Sequence, residues 1–172
     1  VGSNDEIGEL ARAFQTMTTG PQQNEVKTRS IIDSVVDGLI VNDEFGNIDS
    51  YNPACQRIFG YEPDEGMGRN LQMLMPPRFH DEHDGYLQAY QRTKARKIIG
   101  IGREVIGQRK DGTTFPMDLS VSEILLNDRP LYCGIVRDIS ERKQMDIMKD
   151  EFISTVNHEL RTPLTSIHGA LG

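Results

Sequence analysis

Asp111-Gly112 and Asn127-Asp128 are turn dipeptides that separate three runs, 99–109, 114–126 and 131–139, each rich in β-branched and apolar residues. Such dipeptides accept the positive φ that tight hairpins require. The three runs are therefore read as successive antiparallel strands. Two earlier runs, 38–42 and 47–51, flank a turn at 43–46 and add two more. Between the groups, Asn52 is placed to cap a short helix with Pro53 at its first position and Gly60 at its end. Brief turns follow at 62–65 and 71–75, closed by Pro76-Pro77. A longer helix is expected over 78–95, with Phe79, His83, Tyr86, Leu87 and Tyr90 facing inward. Strands grouped apart from helices specify an α+β domain built on one curved five-stranded antiparallel sheet.

The flanks carry a different period. In 4–17 the apolar residues Ile7, Leu10, Phe14 and Met17 alternate three and four apart, the spacing of a coiled-coil seam. Residues 20–24 break that helix, and a second is expected to start near Glu25. At the other end, Ile153, Val156, Leu160, Leu164, Ile167 and Leu171 fall on one helical stripe, with His158 roughly opposite. Glu159 follows His158, and Thr162 lies one turn on along the same exposed face. An imidazole near neutrality is a nucleophile, and a neighbouring carboxylate can hold the tautomer that leaves its attacking nitrogen free. Periodicity alone accommodates an ordinary solvated histidine equally well. Pro163 lacks an amide hydrogen and is expected to kink or loosen the helix. The positions Met145, Met148, Phe152, Val156, Leu160 and Leu164 are spaced by three once and then by four, which acts as a stutter in a left-handed coiled coil.

With 37% hydrophobic residues among 172, the chain can bury one core and carry helical arms. A formal charge of −7 with no basic face argues against nucleic acid or an anionic membrane surface as partner. Cys55 and Cys133 lack a CxxC spacing and are read as reduced core thiols. No nucleophile elbow or P-loop occurs, which removes a stand-alone hydrolase or transferase.

The string His158-Glu159-Leu160-Arg161-Thr162-Pro163-Leu164, with Phe152 before it and Ser166-Ile167 after, resembles the H-box of bacterial sensor histidine kinases. The resemblance implies that His158 is the phospho-acceptor, Glu159 the acidic partner in transfer, and Thr162 the residue that orients water during dephosphorylation. It also implies a parallel homodimer, a response-regulator receiver domain as partner, and ATP used only through a catalytic domain that this chain does not reach. Asp5 to Phe14 resembles the second helix of a HAMP domain. That implies the cytoplasmic portion of a membrane-anchored bacterial receptor.

Asp37-Gly38-Leu39-Ile40, Tyr51-Asn52-Pro53-Ala54, Gly68-Arg69-Asn70, Arg109-Lys110-Asp111-Gly112 and Asp138-Ile139-Ser140-Glu141-Arg142 resemble landmarks of the PAS fold in their usual order. The implied division is a HAMP helix over 1–20, a linker over 21–26, a PAS domain over 27–142 and the start of the phospho-acceptor helix over 143–172. Asp138 and Arg142 are expected to tie the exit helix to the sheet, and one helical turn lets them reach each other. A flavin photoreceptor is disfavoured, because Leu71 stands where its reactive cysteine would follow Gly68-Arg69-Asn70.

His83-Asp84-Gly85-Tyr86, the run 98–103 and the run 111–120 resemble FixL-type oxygen-sensing PAS domains. That resemblance implies haem b, with His83 ligating iron, Arg103 responding to bound oxygen, and Ile98, Leu119 and Val121 lining the distal side. Ala89 and Gln91 stand where that family has arginines near the haem propionates, and Lys97 where it has histidine. An empty cavity in a module that only dimerises and relays strain is the alternative. His80 and His83 lie one turn apart, but two ligands without a third make a weak metal site.

Overall fold

The computed structural model describes residues 8–9, 22–94 and 99–170. Residues 22–34 are helical (α1), so a helix is already running at Gln22, ahead of the expected start near Glu25. Strands β1 (Gly38–Asn42) and β2 (Ile48–Tyr51) follow, then helices α2 (Pro53–Phe59) and α3 (Pro63–Gly66). Two 3-10 turns, Leu71–Leu74 and Pro77–Phe79, lead into α4 (His80–Thr93). Strands β3 (Arg103–Gln108), β4 (Thr114–Leu126) and β5 (Arg129–Asp138) complete the sheet before the long helix α5 (Ser140–Ala170).

Local chemistry fixes these junctions. The Asp43 carboxylate accepts from the amides of Phe45 (2.9 Å) and Asn47 (2.8 Å), closing the first hairpin. Asn127 and Asp128 both take positive φ, 50° and 62°, as a two-residue hairpin turn demands. Asn52 is buried and caps α2 through the Cys55 amide (3.2 Å), and its side-chain oxygen also accepts from Leu39 (2.9 Å). Its amide nitrogen donates to the carbonyls of Ile32 (3.2 Å) and Asp37 (3.0 Å), so one side chain joins α1, β1 and α2.

The sheet order is β2-β1-β5-β4-β3, antiparallel at every pairing. This is the α+β arrangement that the sequence specified. Ile40, Ile48, Cys55, Phe59, Phe115, Met117 and Val136 form the buried core between one sheet face and the short helices. Phe59 and Phe115 meet edge to face at 5.5 Å. A side chain at Gly107 would place its Cβ 2.8 Å from the Phe115 ring, so this position has no room for one.

Further boundaries differ from expectation. Strand β3 begins at Arg103 rather than 99, because Gly100 adopts φ 84° and Ile99 makes only an isolated parallel bridge to Val121. Helix α4 stops at Thr93, where Lys94 turns left-handed at φ 50°. Cys55 is a core thiol whose burial pushes its pKa up to about 12, whereas Cys133 is half-buried and alternates onto the outer sheet face. The seam of Ile7, Leu10, Phe14 and Met17 lies outside the described residues.

Candidate functional site

Alternation along the strands sends Ile40, Met117, Leu119, Val121 and Val136 to the same face, opposite the short helices and α4. Between them lies a cavity of about 370 Å³ with mainly apolar walls. His83, Tyr86, Leu87 and Tyr90 line it from α4, at the three- and four-residue spacing of one helical face. These are four of the five residues expected to point inward.

Among the described side chains of the cavity, two buried nitrogens lack a hydrogen-bond partner: Nδ1 of His83 and Nε of Arg103. The Asp84 carboxylate is 3.8 Å from Nδ1, too far for a hydrogen bond, and instead accepts from Gln72 at 2.9 Å to each oxygen. Burial lowers the His83 pKa despite Asp84, so the ring is neutral at neutral pH. A neutral imidazole on an apolar wall has a lone pair to offer a ligand or iron. Arg103 opens β3 opposite Leu119, with its guanidinium 5.4 Å from the centre of the Tyr86 ring.

The structure thus brings His83, Arg103, Leu119 and Val121 to one cavity, while Ile98 and Lys97 lie outside the described residues. Ala89 also lines the cavity, but Gln91 turns away and donates to the Glu44 carbonyl (2.6 Å). Sequence reasoning missed Arg92 and Tyr132. Arg92 reads as an ordinary cation near a helix end, and Tyr132 becomes a wall only through β5 pairing with β1 and β4. His80 is held by the Met75 carbonyl (3.1 Å), which separates it in role from His83. Among the described residues, no group of three or more His, Cys, Asp or Glu could hold a metal ion.

A second constellation sits on α5. His158, Glu159 and Thr162 are exposed, and the Thr162 hydroxyl donates to the His158 carbonyl at 3.3 Å. The helix continues through Pro163 to Ala170, with Thr165 donating to the Arg161 carbonyl at 2.8 Å. Pro163 leaves the Glu159 carbonyl without its amide donor, and these two hydroxyl bonds go to the carbonyls of His158 and Arg161 instead. From Ser140 to His158 the axis advances about 27 Å at 1.5 Å per residue. His158 is exposed and is not among the residues that line the cavity.

Asp138 and Arg142 both tie the exit helix to the sheet, as expected, but through partners other than each other. Asp138 pairs with Arg109 (2.6 Å) and accepts from the Ser140 amide (2.9 Å) and hydroxyl (2.6 Å). Arg142 bonds instead to Glu104 (3.2 Å) and Asp118 (3.4 Å). The Asp138 carboxylate is already committed at the end of β5, while Arg142 has two acids facing it across β3 and β4. Among the described residues, no helix is long and apolar enough to cross a membrane.

Comparison with known proteins gives two family matches: the PAS fold over residues 27–139, and the His Kinase A (phospho-acceptor) domain over 148–172. Sensor protein FixL of Bradyrhizobium diazoefficiens is 40% identical over 137 residues, covering 80% of this chain and 27% of that protein. Cell-division control histidine kinase PdhS of Brucella ovis is 30% identical over 159 residues, covering 84% of this chain and 15% of that protein. The chain thus spans about a quarter or less of the length of these relatives. Among solved structures, the PAS domain of an HTR-like protein from Haloarcula marismortui superposes with TM-score 0.60 at 20% identity, covering 73% of this chain and 99% of that one. A PAS domain from a two-component sensor histidine kinase gives 0.57 at 16% identity, covering 69% and 98%. These two likenesses concern the fold alone.

Proposed function

The chain belongs to the PAS fold family and carries a His Kinase A phospho-acceptor segment, and from that premise we propose that it is the sensing and relay portion of a two-component sensor histidine kinase. Occupancy of the PAS cavity sets the phosphorylation of His158 and the onward transfer to a response-regulator aspartate. The His158 lone pair forms the N–P bond as ADP leaves, and the phosphoryl group then passes to the regulator carboxylate. Glu159 holds the imidazole tautomer, and Thr162 orients water when the regulator is dephosphorylated. ATP is supplied by a catalytic domain outside this chain. The resemblance of Asp5 to Phe14 to the second helix of a HAMP domain supports a membrane anchor upstream. The exposed apolar seam of α5, from Ile153 to Leu164, is covered by a second copy in a parallel homodimer.

The observation that carries the sensing half is the pairing, in one apolar cavity, of neutral His83 with a buried arginine nitrogen that has no partner. These residues fit haem b. His83 would hold the iron, Leu119 and Val121 would wall the opposite side, and Arg103 and Arg92 are the cations available to carboxylates or to a polar ligand. Haem, when bound, supplies an iron centre that takes a diatomic gas. Around it the chain keeps His83 uncharged, excludes water with leucine, valine and methionine, and presents Arg103 at the wall.

Haemin titration of the purified chain tests this reading by absorbance. A Soret band that disappears in His83→Ala and persists in His80→Ala is expected. No band after haemin addition would overturn haem sensing and favour a PAS module that only dimerises and relays strain. A band unchanged in His83→Ala would overturn the ligand assignment.

A further inference from the structure

Glu104 of β3 and Asp118 of β4 are register partners on the outer face of the sheet, remote from the cavity side. Two carboxylates placed opposite one another in adjacent strands repel. Arg137 lies across from Asp118 on β5, but it commits its hydrogen bonds to Asp37 at 3.0 and 2.6 Å. The compensating cations come from the first turn of α5. Arg142 bridges the pair, reaching Glu104 at 3.2 Å and Asp118 at 3.4 Å, and Lys143 reaches the second Glu104 oxygen at 2.5 Å. These ion pairs hold the Glu104 carboxyl below its ordinary range, the Lys143 bond most of all.

An isolated exposed ion pair contributes little to stability. Here three pairs share four side chains, and losing the helix cations would leave the two facing acids with only the longer-range attraction of Arg137 for Asp118. The position also matters. Asp138 and the Ile139 amide, which donates to the Pro116 carbonyl at 3.1 Å, anchor the chain only up to the helix start. Beyond Lys143 every described residue of α5 is exposed. The cluster on Glu104 is thus the last fastening before the helix projects from the domain. Its neighbour in β3 is Arg103, which lines the cavity on the opposite face of the same strand.

We propose that Glu104 is a positioning residue: by gripping Arg142 and Lys143 it sets how α5 is seated on the sheet, and it couples the cavity-lining strand to the helix that bears His158. The seating rests on the contacts alone; its consequence for phosphorylation rests on the kinase reading above. A shift of β3 at Arg103 moves Glu104 with it, because adjacent residues of a paired strand cannot move independently.

Amide hydrogen exchange on the 172-residue chain tests the seating. In Glu104→Gln, amides of residues 143–149 should exchange roughly two- to fivefold faster, with β4 and β5 unchanged. Arg142→Gln should add less in that background than in the wild type, as coupled partners do. Unchanged exchange at 143–149, a uniform rise over the whole domain, or full additivity would overturn the proposal. In the complete kinase, Glu104→Gln should change the rate of His158 labelling by ATP about threefold or more at the same melting temperature, an order-of-magnitude expectation for loss of a positioning contact. An unchanged rate would overturn the coupling. Absence of label in the wild type as well would contradict the kinase reading, and the exchange result would still decide the seating.

Discussion

Asp138 holds the Ser140 amide, the Ser140 hydroxyl and the Arg109 guanidinium at the point where sheet becomes helix. Burial alone would raise its pKa, but Ser140 and Arg109 outweigh that and hold the carboxyl below its usual range. Its folded value therefore lies below its unfolded value. The stabilisation is complete above the unfolded pKa of about 3.9 and is lost as pH falls through the folded one. Asp138→Asn is expected to lower unfolding stability by about 1–2 kcal/mol at pH 7. Urea titrations should show the difference between wild type and variant shrinking below about pH 4; a difference independent of pH would contradict the charged role. At this scale the sequence disclosed what acts locally. Asn52-Pro53 announced a capped helix because cap and first turn are neighbours in the chain. Nothing local disclosed that Asp138 would choose Arg109, or that Arg142 would find Glu104 and Asp118, since those partners meet only once β3, β4 and β5 are paired.

Among the elements, α5 has the most to do, and its apolar pattern was legible because one helix writes its own period. Met145, Met148, Phe152, Val156, Leu160 and Leu164 are all exposed in the single chain, with the stutter spacing that lets two packing phases lie close in energy. With the seat proposed at Glu104 and His158 farther along one continuous helix, rotation of that helix is the proposed carrier of the signal. Inserting one residue between Arg142 and Met148 should turn the downstream helix by about 100° and change kinase activity strongly. Inserting seven residues should largely restore it, because seven residues return nearly to the starting phase. Activity of the complete kinase that ignores insertion length would contradict rotation as the carrier. The strands were less fully legible. The turns at Asp111-Gly112 and Asn127-Asp128 exposed the β3-β4-β5 meander, but the pairing of β1 with β5 depends on residues nearly a hundred positions apart. The same non-local pairing makes Tyr132 a cavity wall.

For the molecule as a whole, a cavity on one face of the sheet, an ionic seat on the other and the exposed His158 about 27 Å along the exit helix lie along the proposed path from sensing to chemistry. The division between the sheet and its exit helix was visible in the change of hydrophobic period from two to about 3.6 near residue 140. The cavity was legible only through resemblance, from the strings around His83, Arg103 and Leu119, because an enclosed space belongs to the packing of many elements. The central claim, that this path ends on His158, is tested most directly by mapping phosphate in the complete kinase after incubation with ATP. The account predicts acid-labile label on the peptide containing His158 and its complete loss in His158→Gln. Label that survives His158→Gln would contradict it.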